Sequence, residues 1–222
     1  SVGASAGRRL TLTPHGSVNG TTPGPSQMDN PIHAVQTHWC DEAIAYDGSQ
    51  LRAHWLLDRF QLVGDAIVAF RGPCRVRTDE IADLEDLDGP GIAADEMVHF
   101  LWESFRTTDL LLAVHRQRLF AAQVREVLQE LAPTKEVVRD GDDLYVGGGK
   151  LSISISTVSP VSALMHFAVN AQPGGAPVAI ESLSGLGIDP DAFAQAVLRR
   201  VATEQGSIES ARAKVRAKGE WR

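Results

Sequence analysis

Val146-Gly-Gly-Gly-Lys150-Leu-Ser-Ile-Ser-Ile-Ser-Thr-Val158 is the stretch whose reading decides the fold. Consecutive glycines deliver one lysine onto a run that alternates strictly, with Leu151, Ile153 and Ile155 on one side and Ser152, Ser154 and Ser156 on the other. Successive side chains of a strand point to opposite faces, so this period of two reads as a half-buried strand. Gly148 and Gly149 open backbone conformations closed to other residues and would let a ligand approach closely. The serine face is short and polar, as a groove for a phosphate or a carbonyl would be. Lys150 at its mouth would stabilise charge on that group rather than transfer a proton. The competing reading is a solvated turn lysine.

Working outward, residues 136–138 and 144–146 flank Arg139-Asp-Gly-Asp-Asp143, the pattern of a hairpin. Residues 161–170 supply a partner strand that carries His166. The spacing of Leu119, Phe120, Val124, Val127, Leu128 and Leu131 predicts a helix over 118–131, closed by Pro133. Asp189-Pro190 provides an N-cap and a first-turn proline for a final helix over 191–204. Nearer the N-terminus, short strands are expected at 34–39 and 43–46. Asp47-Gly-Ser-Gln50 then reads as the cap of a helix over 48–60. Residues 65–70 form a compact apolar run of central-strand type, ending in Arg71-Gly-Pro-Cys74. A short acidic helix or turn follows from Thr78 and is broken at Gly89-Pro-Gly91. Beyond it an amphipathic helix is predicted over 95–106, burying Met97, Phe100, Leu101 and Phe105, and a buried strand over 110–114. The sum is an α+β domain with a mostly antiparallel sheet flanked by helices.

Residues 1–29, rich in Gly, Ser, Thr and Pro, read as a flexible leader, with Met28 an alternative start of the folded part. Residues 30–205 would form the single domain, and 206–222 a basic tail that frays. Net charge is −7, from 21 Lys+Arg against 28 Asp+Glu, which argues against a nucleic-acid partner. No apolar window approaches the ~18 residues of a membrane span. With only Cys40 and Cys74, and no signal-peptide pattern, a cytoplasmic protein with reduced thiols is expected.

Other candidates stand at strand ends. Arg71, after a buried strand, suits a phosphate or carboxylate clamp; the alternative is a structural arginine pairing with the acidic segment that follows. Cys74, between Arg71 and Arg75, has a setting that would favour a thiolate nucleophile, against a buried, inert thiol. His166 reads as a core histidine or a pocket residue. His115-Arg-Gln-Arg118 would line the same pocket. Asp142-Asp143 has metal-binding residue types without a partner at ligand spacing, so no tightly bound metal is expected.

Gly147-Gly-Gly-Lys-Leu-Ser-Ile, followed by His166-Phe-Ala-Val-Asn170, resembles the core of the lipoate–protein ligase, biotin–protein ligase and octanoyltransferase superfamily. There a glycine-led lysine is followed by a strand of His-Gly-Φ-Ala-Leu-Asn form. Tyr46-Asp-Gly-Ser-Gln-Leu-Arg, Ala69-Phe-Arg-Gly-Pro-Cys and Ser159-Pro-Val-Ser-Ala-Leu look like an uncharacterised archaeal and bacterial branch of it. The resemblance implies a fold related to the class II aminoacyl-tRNA synthetase core. It also implies an acyl-group ligase or transferase that activates a small carboxylic acid as an adenylate. Lys150 would contact the acyl carbonyl and the phosphate, with Arg71 and Gly72 on the acyl-adenylate and Gly148, Gly149, Ser152, Ser154 and His166 lining the substrate. ATP with Mg would be the cofactors; an acceptor protein or small molecule and a second copy of the chain would be the partners. The alternatives are an ATP-independent acyltransferase with Cys74 as nucleophile, and a non-catalytic module binding a small anion or nucleotide. The sequence departs from the family at its Arg-Arg-x-Ser-Gly-Gly-Gly and Gly-Arg-Gly-Arg loops, replaced by Arg-Gly-Pro-Cys, and lacks the octanoyltransferase cysteine near 184–187.

Overall fold

The structure, a computed structural model, describes residues 35–219; the expected leader and Met28 lie outside the described residues. In chain order come β1 (Gln36–Cys40), α1 (Trp55–Phe60), β2 (Ala66–Arg75), β3 (Ala93–Ser104), α2 (Leu110–Leu131), β4 (Val137–Asp140), β5 (Asp143–Val146), β6 (Gly149–Lys150), β7 (Ser152–Val158), β8 (Ala163–Asn170) and α3 (Pro190–Lys214). A five-stranded sheet has the order β1-β2-β3-β8-β7, and β4-β5-β6 form a small second sheet. Only the β1–β2 pair of the main sheet is parallel. The α+β class and the mostly antiparallel sheet are as the sequence implies.

One face of the main sheet carries Ile67, Ala69, Val98, Phe100, Phe167 and Val169 and is covered by α2 and α3. Phe120 of α2 meets Phe100 and Phe167 edge-on, at centroid distances of 5.4 and 5.1 Å. The opposite face carries Val68, Phe70, Met97, Leu101 and Ala168 and packs against Tyr46, Leu56 and neighbouring loop residues. The sheet thus has helices on one side and irregular chain on the other. That second side holds the cavity described below.

Several elements differ from expectation. The helix predicted over 95–106 is β3, at the centre of the sheet between β2 and β8. A strand buried on both faces is apolar throughout, and Met97, Phe100 and Leu101 satisfy a helical period as easily as a strand. Leu110, Leu111 and Leu112 are exposed at the start of α2 rather than buried in a strand; Asp109 caps this helix by accepting from Leu112 N at 3.0 Å. The helix predicted over 48–60 is confined to α1, because His54 takes a left-handed φ of 66°. The capping contacts do form: Asp47 Oδ1 accepts from Ser49 N, and Gln50 Oε1 from Asp47 N. α3 continues to Lys214, so the start of the expected basic tail is helical.

Gly72 locks the irregular side onto the sheet. Its neighbours bond to the passing chain, Ile44 N donating to Arg71 O at 2.8 Å and Tyr46 N to Pro73 O at 2.9 Å. A Cβ at Gly72 would stand 2.0 Å from the Ile44 carbonyl oxygen, with backbone on both sides of the contact. Gly72→Ala is therefore expected to cost roughly 3–5 kcal/mol and lower Tm by on the order of 10 °C. A melting curve within a degree or two of the parent would contradict this packing.

Candidate functional site

Lys150 is placed by turn chemistry and then by backbone ties. Gly147 and Gly148 have φ of 57° and 85°, both left-handed, at the centre of the two-residue hairpin between β5 and β6. Two successive positive φ values define a type I′ turn, which glycine adopts without strain. A Cβ on either would meet nothing, so their glycine character serves the turn rather than an approaching ligand. Gly149 answers to close approach: a Cβ there would lie 2.9 Å from Glu181 N. The segment ending at Glu181 pairs with Lys150, which donates from N to Ala179 O and accepts at O from Glu181 N, each at 3.1 Å. Asn170 Nδ2 binds both Lys150 O and Glu181 O, at 3.0 and 3.1 Å. The asparagine of the sequence motif holds the lysine's backbone in place.

A cavity of about 440 Å³ opens beside Lys150 on the non-helical face of the sheet. Small-molecule sites commonly occupy ~300–1,000 Å³. Met97, Ile153, Ile155, His166 and Tyr46 line its sheet side, and the acidic segment from Glu80 to Asp86 forms another wall. Lys150 is the one Lys or Arg among the described lining residues, against six carboxylates: Glu80, Asp83, Glu85, Asp86, Asp142 and Asp143. Lys150 Nζ lies 2.8 Å from Asp143 Oδ2. Burial works against its charge, but the bond to Asp143 prevails and its pKa lies above the ordinary lysine value. Asp142 is engaged by Arg118, by Gln117 Nε2 at 2.7 Å and by Ser154 Oγ at 2.6 Å.

The floor is an imidazole chain. His99 Nε2 is 3.1 Å from Gly72 O, and His99 Nδ1 is 3.0 Å from His166 Nε2. A carbonyl only accepts, so His99 Nε2 carries the proton. Burial holds His99 down to about 4, against the opposing pull of the Gly72 carbonyl, so the ring is neutral and its Nδ1 bare. His166 Nε2–H must then donate to His99. Burial, reinforced by His99, also keeps His166 neutral, which leaves His166 Nδ1 a bare acceptor. Tyr46 stacks on His166 at 3.7 Å between centroids, and burial raises its phenol pKa further beyond the ordinary range.

The structure brings Lys150, Ser152, Ser154, His166, Asp142 and Asp143 to one cavity and leaves Arg71, Gly72, Cys74, Gly148, Gly149 and the His115–Arg118 cluster outside its lining. The serines, however, present their face to α2: Ser152 and Ser154 pair across the sheet with Val169 and Phe167, on the helix-covered side. Ser152 Oγ accepts from Leu144 N at 2.9 Å, and Ser154 bonds to Gln117 and Asp142. Ile153 and Ile155 are the strand's cavity-facing side chains. Alternation revealed two faces of β7 but not which one the cavity meets.

Arg71 lies on the helix-covered face, bound by Glu96 and, at 3.2 Å, by Asp191 at the start of α3. Its guanidinium is paired with those acids rather than with the segment after it. Gly72 is a packing residue whose carbonyl orients His99. Gly148 and Gly149 shape the hairpin. Cys74 is fully buried behind Tyr46, and desolvation pushes its thiol up to about 12. Burial and the raised pKa both work against a thiolate there. The His115–Arg118 cluster sits on α2, where Gln117 and Arg118 hold Asp142 and Arg116 lies 5.3 Å over Trp102. Tyr46, His99 and the acidic wall were not singled out from sequence; His99 was hidden in the segment read as a helix.

A sheet with helices on one face and a cavity on the other, entered by a hairpin-borne lysine, defines a ligase-like α+β fold. The chain belongs to the family described as a domain of unknown function (DUF366), whose match spans residues 35–216. A protein of unknown function from Pyrococcus horikoshi superposes with a TM-score of 0.79 and 38% identity, covering 84% of this chain and all of that one. An uncharacterised protein of Methanocaldococcus jannaschii is 33% identical over 175 residues, 76% of this chain and 78% of that protein. Biotin protein ligases share the fold at lower identity. The Aquifex aeolicus enzyme, in complex with biotin and ATP, has a TM-score of 0.55 at 14% identity, covering 79% of this chain and 72% of that one. The Leishmania major enzyme, in complex with biotinyl-5-AMP, has 0.51 at 10% identity, covering 84% and 85%. The relation to the ligases is one of fold. No helix among the described residues is long and apolar enough to cross a membrane, and both cysteines are free thiols.

The neutral histidine pair makes a pH prediction. An unfolded histidine titrates near ~6.5, whereas folded His99 titrates at about 4. Between these values the unfolded chain binds more protons, so stability falls as pH falls. The loss from His99 alone is on the order of 3 kcal/mol by pH 4. Urea denaturation at steps from pH 7 to 4.5 should show the decline beginning near pH 6.5; a flat profile would contradict a buried neutral pair.

Proposed function

We propose that the protein is an acyl-group ligase or transferase that takes a small carboxylic acid into the cavity beside Lys150. The observation that carries this reading is Lys150 itself. It is the sole ammonium among the described lining residues, fastened at its backbone from two sides, and it adjoins an apolar surface of Met97, Ile153 and Ile155. The carboxylate would bind at Nζ, sharing the ammonium with Asp143, and the apolar body would lie on the isoleucine face. Transfer requires the acid to arrive already activated, as an acyl ester or thioester: the acceptor's nucleophile would form the new bond at the carbonyl carbon, the alcohol or thiol would leave, and the same ammonium would stabilise negative charge on the carbonyl oxygen between the two.

ATP, which the Aquifex enzyme binds, does not fit this lining. Its phosphates would face six carboxylates and one lysine already paired with Asp143, while Arg71 is on the other side of the sheet. The reading therefore runs without a nucleotide and without Cys74. The same observation favours a second reading: a module of ligase-like fold that binds a small molecule without turning it over. Acceptor protein, Mg and self-association remain proposals attached to the first reading alone.

A panel of straight-chain and branched carboxylic acids, screened by thermal shift, tests the binding step. Removing a charge-assisted contact costs roughly 1.5–3 kcal/mol, so Lys150→Ala should weaken the best acid by about 10- to 100-fold. Equal stabilisation of parent and variant would sink the assignment. Acyl transfer from the thioester of that acid to an added amine or thiol separates the enzyme from the binding module; stabilisation without turnover favours the module.

A further inference from the structure

The sign of the cavity is opposite to that of an anion site, and the excess is not neutralised locally. Asp142 is matched by Arg118 and Asp143 by Lys150. Glu80, Asp83, Glu85 and Asp86 form no ion pair among the described residues. Their one side-chain bond is local, Asp83 Oδ1 accepting from Glu85 N at 2.9 Å. Four carboxylates on one wall could be merely a solvated surface.

The floor supplies an independent observation. His166 is 2% exposed and lines the cavity, and its Nε2 is committed to His99. His166 Nδ1 has no hydrogen-bond partner among the described residues, and by the tautomer argument above it carries a lone pair and no proton. Tyr46, likewise 2% exposed and lining the cavity, has no partner for its hydroxyl among the described residues. Neither His166 Nδ1 nor the Tyr46 hydroxyl is a sealed, unsatisfied atom; both open onto the cavity, where a ligand or water completes them. His166 Nδ1 and the acidic wall therefore ask for the same thing, an N–H donor bearing positive charge, while the Tyr46 hydroxyl, held protonated, can accept from that group or donate to the wall.

We infer that the ligand carries a protonated amine as well as a carboxylate, so that the substrate class is an amino acid or an amine-bearing acid. This rests on the proposed binding of a carboxylate at Lys150. The carboxylate is held there, and the ammonium is held between the acidic wall and the His166–Tyr46 floor. The six-to-one ratio of lining charges then becomes selective: a plain fatty or aromatic acid enters an acceptor-lined chamber without a donor to offer, and a zwitterion satisfies both ends.

The test is calorimetric titration of the full chain with ω-amino acids of graded length and, for each length, the matched plain acid and the matched alkylamine. At least one ω-amino acid should bind about tenfold or more tightly than its matched acid at low salt, the worth of one well-placed charge contact. Added salt should shrink that preference. In the combined variant Asp83→Asn, Glu85→Gln, Asp86→Asn, whose exposed side chains leave the fold intact, the preference should fall to within threefold. If plain acids bind as tightly as amino acids, and lose binding in Lys150→Ala, the amine inference is overturned while the carboxylate site stands. If alkylamines bind as tightly as amino acids and plain acids do not bind, the cation site stands and the carboxylate reading fails. If none of the three binds, the inference is overturned.

Discussion

His99 joins the parts of this protein on which the rest depends. One of its nitrogens binds the carbonyl of Gly72 on β2, the other binds His166 on β8, and its own strand lies between the two. Because Gly72 has no side chain, its strand can accept the Ile44–Tyr46 segment on its edge. That segment brings Tyr46 over His166 at stacking distance. A single carbonyl contact thus sets the protonation pattern of two buried rings and the floor of a cavity. Few other arrangements bury two imidazoles without charge: a chain of donors running in one direction satisfies each ring nitrogen except the last, and the last is left to the cavity.

The cavity combines a shared fold with a lining of its own. The fold is shared with biotin protein ligases. Lys150 on its glycine hairpin, anchored by Asn170, stands at the opening. Arg71 is turned to the helical side and neutralised by Glu96 and Asp191, and an acidic segment stands across the opening. Electrostatics at this range is set by sign and spacing, so a lining of carboxylates around one lysine cannot serve the ligand that a lining of arginines serves. Frame and cargo have to be argued separately.

What could be read from sequence follows how local each feature is. The hairpin that delivers Lys150, the caps at Asp189 and Asp47, and the helix over 118–131 depend on residues a few positions apart, and all are present. The strand β3 reads as a helix in sequence because both its faces are buried, which erases the alternation that marks a strand. His99 disappeared with it. The serine strand shows a subtler failure: period two separates Ser152 and Ser154 from Ile153 and Ile155, but only pairing with Phe167 and Ala168 tells which set faces the cavity. Cys74 and Arg71 looked reactive because their neighbours in sequence are charged, whereas their neighbours in space are Tyr46, and Glu96 with Asp191. The acidic wall was visible as composition, and its position across from Lys150 required the fold.

The central claim is that the cavity floor accepts hydrogen bonds, and histidine ring nitrogen-15 shifts measure that directly. At pH 7 both rings should be neutral, with His99 and His166 each protonated at Nε2 and bare at Nδ1, and the His166 Nδ1 signal should move when an amine-bearing ligand binds. An imidazolium at either ring, or a proton on His166 Nδ1, would make the floor a donor and contradict the account.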